Sequence, residues 1–475
     1  MAMHSSVFLA GCEITAFLVG LAGCILLKIS NTQHGPYMDE IFHIRQASKY
    51  CEGEFSEWDP MITTLPGLYL VSTGIFQLVA RLTDFKMGEI CVTFWLRCIN
   101  IGFSMGNFVL LLLLIWHIHG KSKEFDKCRG LLTATALTLL PTLYFFTFLY
   151  YTDSGSTFFV LLTILLGRHH KHKLAAVSGI GAILFRQTNI IWVFFTAGLA
   201  VAHLIMDLIL LKKKDISDVT IQSSGFLKIV LATLWNELRN WTPGFRLLLR
   251  NIITQCYAYI LVGMAFVVFV IMNNGIVVGA RTAHQACLHI PQIFYFLGFT
   301  LAFSFMHLIS IHKIIACLLW IWRHKLTTVL LVIFAAVCVW KLTYAHPYLL
   351  ADNRHYTFYV WSRIYRRHDL VKFALIPVYV YAAWSVCYEL RFKNIIWKML
   401  FAVCTCICLV PQQLMEFRYF IIPYLILRLN MNIAAYWKII LELIVYGAVN
   451  ALTIYIFVER PFLWPDSENK QRFMW

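Results

Sequence analysis

Two adjacent carboxylates, Asp39 and Glu40, stand in the polar stretch that follows the first long apolar run of the chain. A carboxylate at a membrane boundary is costly to keep unless it holds a cation or has chemistry to do. The chemistry open to it is taking a proton from a hydroxyl that is about to attack. The same stretch carries another acid in Trp58-Asp59-Pro60. Asp153 lies between two apolar runs, and Arg186 interrupts an otherwise apolar one. Asn353, Arg354, His355 and Tyr356 follow one another in an aromatic-rich loop, and Glu416 and Arg418 precede a further apolar run. Boundary arginines pair with an acid or with a lipid phosphate. Structural ion pairs are the other use for Arg186 and Glu416, and a plain solvated loop is the other setting for the first-loop acids.

Other chemistries lack their signatures. The chain has no phosphate-cradling glycine-rich loop, no nucleotide-binding fold pattern and no acidic metal motif of a soluble sugar transferase. His169, His170 and His172 alternate with basic residues and read as a charged turn, not a metal site. Fourteen cysteines form no metal-type pair. Cys404, Cys406 and Cys408 alternate inside an apolar run, where they serve as small packing residues. Cys51 and Cys287 fall in loops assigned below to one side, which permits a disulfide between them.

These residues need elements to position them, and composition says what the elements are. Of 475 residues 60% are hydrophobic and 13% charged, with mean hydropathy +0.70. Soluble domains carry about a quarter charged residues. Apolar runs lie near 7–28, 63–82, 97–117, 131–150, 155–167, 174–185, 188–211, 252–272, 291–311, 327–341, 373–388, 399–411, 418–429 and 437–457. A crossing takes about 20 residues, so these runs predict an all-α polytopic membrane protein with roughly 12–14 transmembrane helices. The first run has no cleavage site after it and reads as a retained helix. With no internal repeat and no linker, residues 1–475 read as one domain.

The net charge of +16 reflects loop anchoring, not nucleic-acid binding. Basic clusters at Lys121, Lys123, Lys127 and Arg129, at Arg168 to Lys173, at Lys212 to Lys214 and at Arg323 to Lys325 mark cytosolic loops. The stretch 212–251 interleaves basic and aromatic residues with leucines and suits a helix in the cytosolic interface. Turns around Tyr150 to Ser154 and Arg186 to Asn189, and the stretches 29–62, 273–290, 342–370 and 411–417, then share the opposite, lumenal side. Full crossings at both 63–82 and 97–117 would carry 118–130 to the wrong side. Either one of them falls short of a crossing or the charge rule fails there.

The loop PYMDEIFHIRQASKYCEGEFSEWDPMITTLPGLYL resembles the family of dolichyl-phosphate-glucose α-1,2-glucosyltransferases of asparagine-linked glycosylation. So do FLYYTDSGS, FRQTNIIW, KLTYAHPYLLADNRHYTFYVW, LMEFRYFIIPY and QRFMW, a resemblance over nearly the whole chain that is weakest at 1–30 and 212–250. It implies a GT-C-type glycosyltransferase of the endoplasmic-reticulum membrane with a lumenal active site. Its partners would be dolichyl phosphate glucose as donor, the dolichyl-diphosphate-linked oligosaccharide as acceptor, and membrane lipid. The reaction would add the third and last glucose in an α-1,2 linkage, with no metal and no cofactor beyond the donor.

Carried over by position, the resemblance makes Asp39 and Glu40 the catalytic pair, with the base left open between them, and Asp59 a second acid. It sets Arg354 and Arg418 near the donor phosphate. Trp58, Asp153, Arg186, Asn353, His355, Tyr356 and Glu416 complete the expected substrate-binding set. A transporter or a regulatory subunit beside a channel is the competing class. A transporter would show paired halves with broken helices, and no such duplication is present.

Overall fold

A computed structural model describes residues 2–120, 125–213, 217–281, 285–465 and 467–475, with side chains from residue 9 onward except 218 and 467. Lys121, Lys123 and Lys214 of the basic clusters lie outside the described residues. The described residues form a bundle of helices with one small hairpin, β1 (Phe462–Trp464) paired antiparallel with β2 (Ser467–Gln471). Among the described residues, six helices are long and apolar enough to cross a membrane, or up to eight if each of two bent pairs is one span. The expected 12–14 crossings therefore resolve into fewer long helices. Four further apolar runs form helices of 10–17 residues: Gly67–Leu82, His172–Phe185, Pro291–Phe303 and Ile395–Leu409. Irregular backbone inside an apolar layer is tolerated where protein covers it. The outward surface is apolar: Leu326, Val329, Leu330, Ile333 and Val337 are all exposed on the helix Lys325–Lys341, as lipid contact requires.

The first elements decide the geometry. They are α1 (Ala2–Thr32), α2 (Glu40–Glu52), α3 (Gly67–Leu82), α4 (Met87–Ile90) and α5 (Thr93–His119). Cys51 at the end of α2 is disulfide-bonded to Cys91 just after α4. Arg97, in the second turn of α5, reaches back to Glu40 at the start of α2. Both flanks of α3 are thus held at the same end of α5, so α3 is not a crossing and lies against α2. Gly67 lets the start of α3 also sit on the helix His172–Phe185, because a Cβ there would meet the Leu184 backbone at 2.7 Å. The conflict over residues 118–130 is removed. The disulfide that the loops permitted between Cys51 and Cys287 is not formed: Cys287 is free, and its N–H donates to Pro411 O at 3.1 Å.

The polar turns gather at one end of the bundle. Gln187 donates to Thr63 O at 2.9 Å, Ala280 N to Pro60 O at 2.7 Å, and His289 N to Val410 O at 3.0 Å. Met474 N donates to Arg354 O at 2.8 Å, which brings the hairpin segment to the same end. The other end is pinned by a buried ion network, Arg428 and His307 on Glu442 at 2.8 and 2.9 Å. The helix Gly225–Arg239 turns Phe226 and Val230 inward on Ile209 and leaves Leu231, Trp235 and Leu238 exposed. A helix is thus present within 212–251 as expected, and it is amphipathic.

Candidate active site

Glu40 is fully buried and accepts four hydrogen bonds. Arg97 supplies two, at 2.9 and 2.7 Å, Tyr37 N one at 3.0 Å and Tyr150 N one at 2.6 Å. Arg97, equally buried, also donates to Gln33 O and Gly35 O at 3.0 and 3.2 Å. A carboxylate so saturated has no lone pair left for a substrate proton. Glu40 is an anchor that ties the start of α2 to α5 and to the Tyr150 turn.

Asp39 is the opposite case. It is the residue before the first turn of α2, its side chain makes no cap hydrogen bond, and it is 48% exposed. Its N–H donates to Tyr151 Oη at 3.1 Å, which fixes the backbone, while the carboxylate faces Arg418 at 3.8 Å, beyond hydrogen-bond length. It opens on a cavity of about 140 Å³ lined also by Tyr151, Asp352, His355, Glu416, Arg418 and Trp475.

Arg418 stands among carboxylates. Glu416 takes its Nε and Nη2 at 3.0 and 2.8 Å, while Asp39 and Asp153 lie 3.8 Å from Nη2 and Nη1. Of five N–H donors, those aimed at Asp39 and Asp153 are beyond hydrogen-bond length and remain available. The guanidinium stacks over Phe146 and Tyr151 at 5.1 and 5.5 Å. Burial opposes its charge, but Glu416, Asp153 and Asp39 outweigh that and hold its pKa well above the ordinary arginine value. Asp153, 3% exposed, receives Arg186 Nη2 on one oxygen at 2.8 Å, and its other oxygen, buried, has no hydrogen-bond partner. Arg186 also donates to Thr152 at 3.3 Å. Asp39, Asp153, Arg186, Glu416 and Arg418 therefore form one cluster, assembled from four separate turns.

The rest of the expected set is distributed differently. Arg354 spends its fork on Asp352, at 2.8 and 2.7 Å, and on Gln471 at 2.9 Å, under Trp464. Asn353 accepts from Trp464 Nε1 at 2.8 Å. Tyr356 bonds Thr453 at 2.8 Å and stacks on Trp475 at 4.1 Å. His355 lines the cavity with Nδ1 2.7 Å from Trp475 O. Trp58 donates to Ile62 O at 3.2 Å and Asp59 accepts from Met61 N at 2.9 Å. Those two close a local turn and are not among the cavity-lining residues.

Sequence reasoning missed Arg97, Tyr151, Asp352, Trp475 and His43. Arg97 carried a signal, since a lone arginine inside an apolar run needs an acid. His43, one helical turn after Asp39, lies 2.5 Å by Nδ1 from Tyr69 Oη. Burial, opposed by Asp39 and Asp153 and helped by Arg418 and Arg186, pushes its pKa down to about 4. Among the described residues no group of three or more His, Cys, Asp or Glu side chains is arranged to hold a metal ion.

The profile of the DIE2/ALG10 family matches residues 33–429. The chain is 44% identical over 462 residues to a human protein named Dol-P-Glc:Glc(2)Man(9)GlcNAc(2)-PP-Dol alpha-1,2-glucosyltransferase, covering 96% of each. Proteins of the same name from Drosophila melanogaster and Arabidopsis thaliana are 34% and 32% identical. These alignments cover 95% and 93% of this chain and 96% and 95% of the relatives. No solved structure matches the chain.

Proposed function

The chain belongs to the DIE2/ALG10 family, and from that premise we propose that Asp39 is the general base of its glucosyl transfer and Arg418 the cation that holds the donor phosphate. The reaction itself is transfer of glucose from dolichyl phosphate glucose to the terminal glucose of the diglucosylated, dolichyl-diphosphate-linked oligosaccharide, in an α-1,2 linkage. The enzyme is a multi-pass protein of the endoplasmic-reticulum membrane.

A β-linked glucosyl phosphate that yields an α-linkage is inverted by a single displacement. The attacking 2-hydroxyl of the acceptor has a pKa far above 7 and needs a proton acceptor as the new bond forms, a contribution of about 10²–10⁴-fold. The observation that carries the assignment is the contrast between neighbours: Asp39 half-exposed at the cavity, Glu40 buried and saturated. The leaving phosphate needs no proton but needs its charge held, and the free donors of Arg418 suit that. Arg186, across the same Asp153, is its neighbour in charge. With arginine holding the charge, transfer proceeds without a metal.

Two observations support a lumenal cavity. The Cys51–Cys91 disulfide lies at the cavity end, and disulfides persist in oxidising compartments. The basic turn Arg168 to Lys173 lies at the far end of the helix that begins at Asp153. The test is the lipid-linked glycan of cells lacking this protein. The wild-type chain restores the third glucose and Asp39→Asn does not, and transfer by purified wild type continues in chelator. Restoration by Asp39→Asn removes the base assignment, and loss of activity in chelator removes the metal-free one.

A further inference from the structure

The segment after the last long helix is built into the site. Arg472 is 4% exposed. Its guanidinium donates to Phe457 O and Val458 O at 2.6 and 3.0 Å, in the last turn of the helix Tyr436–Glu459, and to Thr32 O at 3.3 Å at the end of α1. Carbonyls at helix C-termini lack intrahelical donors and carry the negative end of the helix dipole. One arginine therefore joins the ends of the first and last long helices.

The backbone of Arg472 grips Tyr37 from both sides. Its N–H donates to Tyr37 Oη at 2.7 Å, and Tyr37 Oη donates to its carbonyl at 2.7 Å. Tyr37 is two residues before Asp39. The residue between, Met38, has φ of +56°, a left-handed conformation that residues other than glycine rarely adopt. Such a turn persists only where its surroundings over-determine it. Three contacts do so here: Glu40 on Tyr37 N, Tyr151 on Asp39 N, and Arg472 on the Tyr37 hydroxyl. The same segment supplies Met474 and Trp475 to the cavity wall.

We infer that residues 472–475 are a positioning element for sugar transfer: by holding the Tyr37 hydroxyl, Arg472 fixes the Met38 turn that aims the Asp39 carboxylate into the cavity. The inference rests on Asp39 being the base. A base displaced by an ångström loses much of its effect although substrates still bind. The signature is therefore a loss in kcat at nearly constant KM, which a merely structural strap would not give.

Tyr37→Phe removes the hydroxyl and keeps the ring, which packs edge-on against Phe457 at 5.6 Å. In the purified full chain, with dolichyl phosphate glucose and the diglucosylated acceptor varied in turn, kcat falls about 10–100-fold, as for the two hydrogen bonds of the lost hydroxyl. KM for each substrate stays within about 2-fold, and the thermal midpoint moves little. Arg472→Gln loosens the same segment, and because both changes act through one contact the double variant is no slower than the slower single one. Wild-type kcat in Tyr37→Phe overturns the inference, as does a kcat loss matched by loss of folded protein or by a rise in KM. Asp39→Asn separates the two layers. If it is active, the base assignment falls and takes this inference with it. If it is inactive while Tyr37→Phe is normal, only the positioning role falls.

Discussion

At the residue scale, neighbouring acids have been given opposite work by their hydrogen bonds. Glu40 is held by Arg97 and two backbone N–H groups, and removing one partner of a buried pair costs about 3–5 kcal/mol. Arg418 keeps donors free beside Asp39, and its substitutions form a graded series. Arg418→Lys keeps the charge and loses the fork, so it is weakened. Arg418→Ala loses a charge-assisted contact of about 1.5–3 kcal/mol and slows transfer by roughly 10–150-fold. Steady-state rates with either change in a protein that still folds check this, and a normal rate in Arg418→Ala moves the phosphate to Arg186. His43 gives a pH prediction. Its pKa is about 4 in the folded chain against an ordinary 6.5. Between those values the unfolded chain takes up the proton and the folded chain does not, so stability falls as pH drops through 6.5 and this loss levels off below about 4. Thermal midpoints across that range show a shallower acid slope in His43→Gln than in wild type. An identical slope in both contradicts the assignment. The sequence made Asp39 legible because a boundary acid is conspicuous. Arg97 was open to the same argument, but its partner Glu40 lies 57 residues away, and the contact of Tyr37 with Arg472 spans 435 residues.

At the element scale, periodicity and charge located the helices and failed on which of them cross. The pairs turning at Tyr150 to Ser154 and at Arg186 to Asn189 were readable, and those turns deliver Asp153 and Arg186. The run 63–82 read as a crossing because hydropathy cannot tell a lipid-spanning helix from an apolar one folded back on its neighbour. Only the Cys51–Cys91 bond and the Glu40–Arg97 pair, both long-range, decide it. This yields a topology prediction. Glu54→Asn creates an Asn-Phe-Ser acceptor before α3, and Asp84→Asn with Lys86→Thr creates an Asn-Phe-Thr acceptor after it. Both sites receive a glycan in endoplasmic-reticulum membranes. The native Asn240-Trp241-Thr242 receives none: it sits between the helices Gly225–Arg239 and Pro243–Met272, with Thr242 capping the second at 3.1 Å. Gel shifts with and without glycosidase read all three. A glycan before α3 and none after it would restore the crossing, and a glycan on Asn240 would invert that half of the chain.

At the scale of the whole molecule, the bundle spends its polar residues at its two ends and its apolar ones on the outside. One end carries an ion network and basic turns, the other an acid–arginine cluster closed over by turns from every part of the chain. On the proposed reading, that cluster is where a lipid phosphate and a lipid-linked sugar meet, with Asp39 as the base between them. The direct test of the account is glucosyl transfer in purified protein from dolichyl phosphate glucose to the diglucosylated acceptor, with Asp39→Asn and Glu40→Gln compared at equal amounts of folded protein. Asp39→Asn keeps wild-type stability and loses transfer by at least about 10²-fold, the lower bound for a missing base. Glu40→Gln loses stability first, and whatever remains folded retains transfer. Normal transfer by folded Asp39→Asn, or loss confined to folded Glu40→Gln, would contradict it.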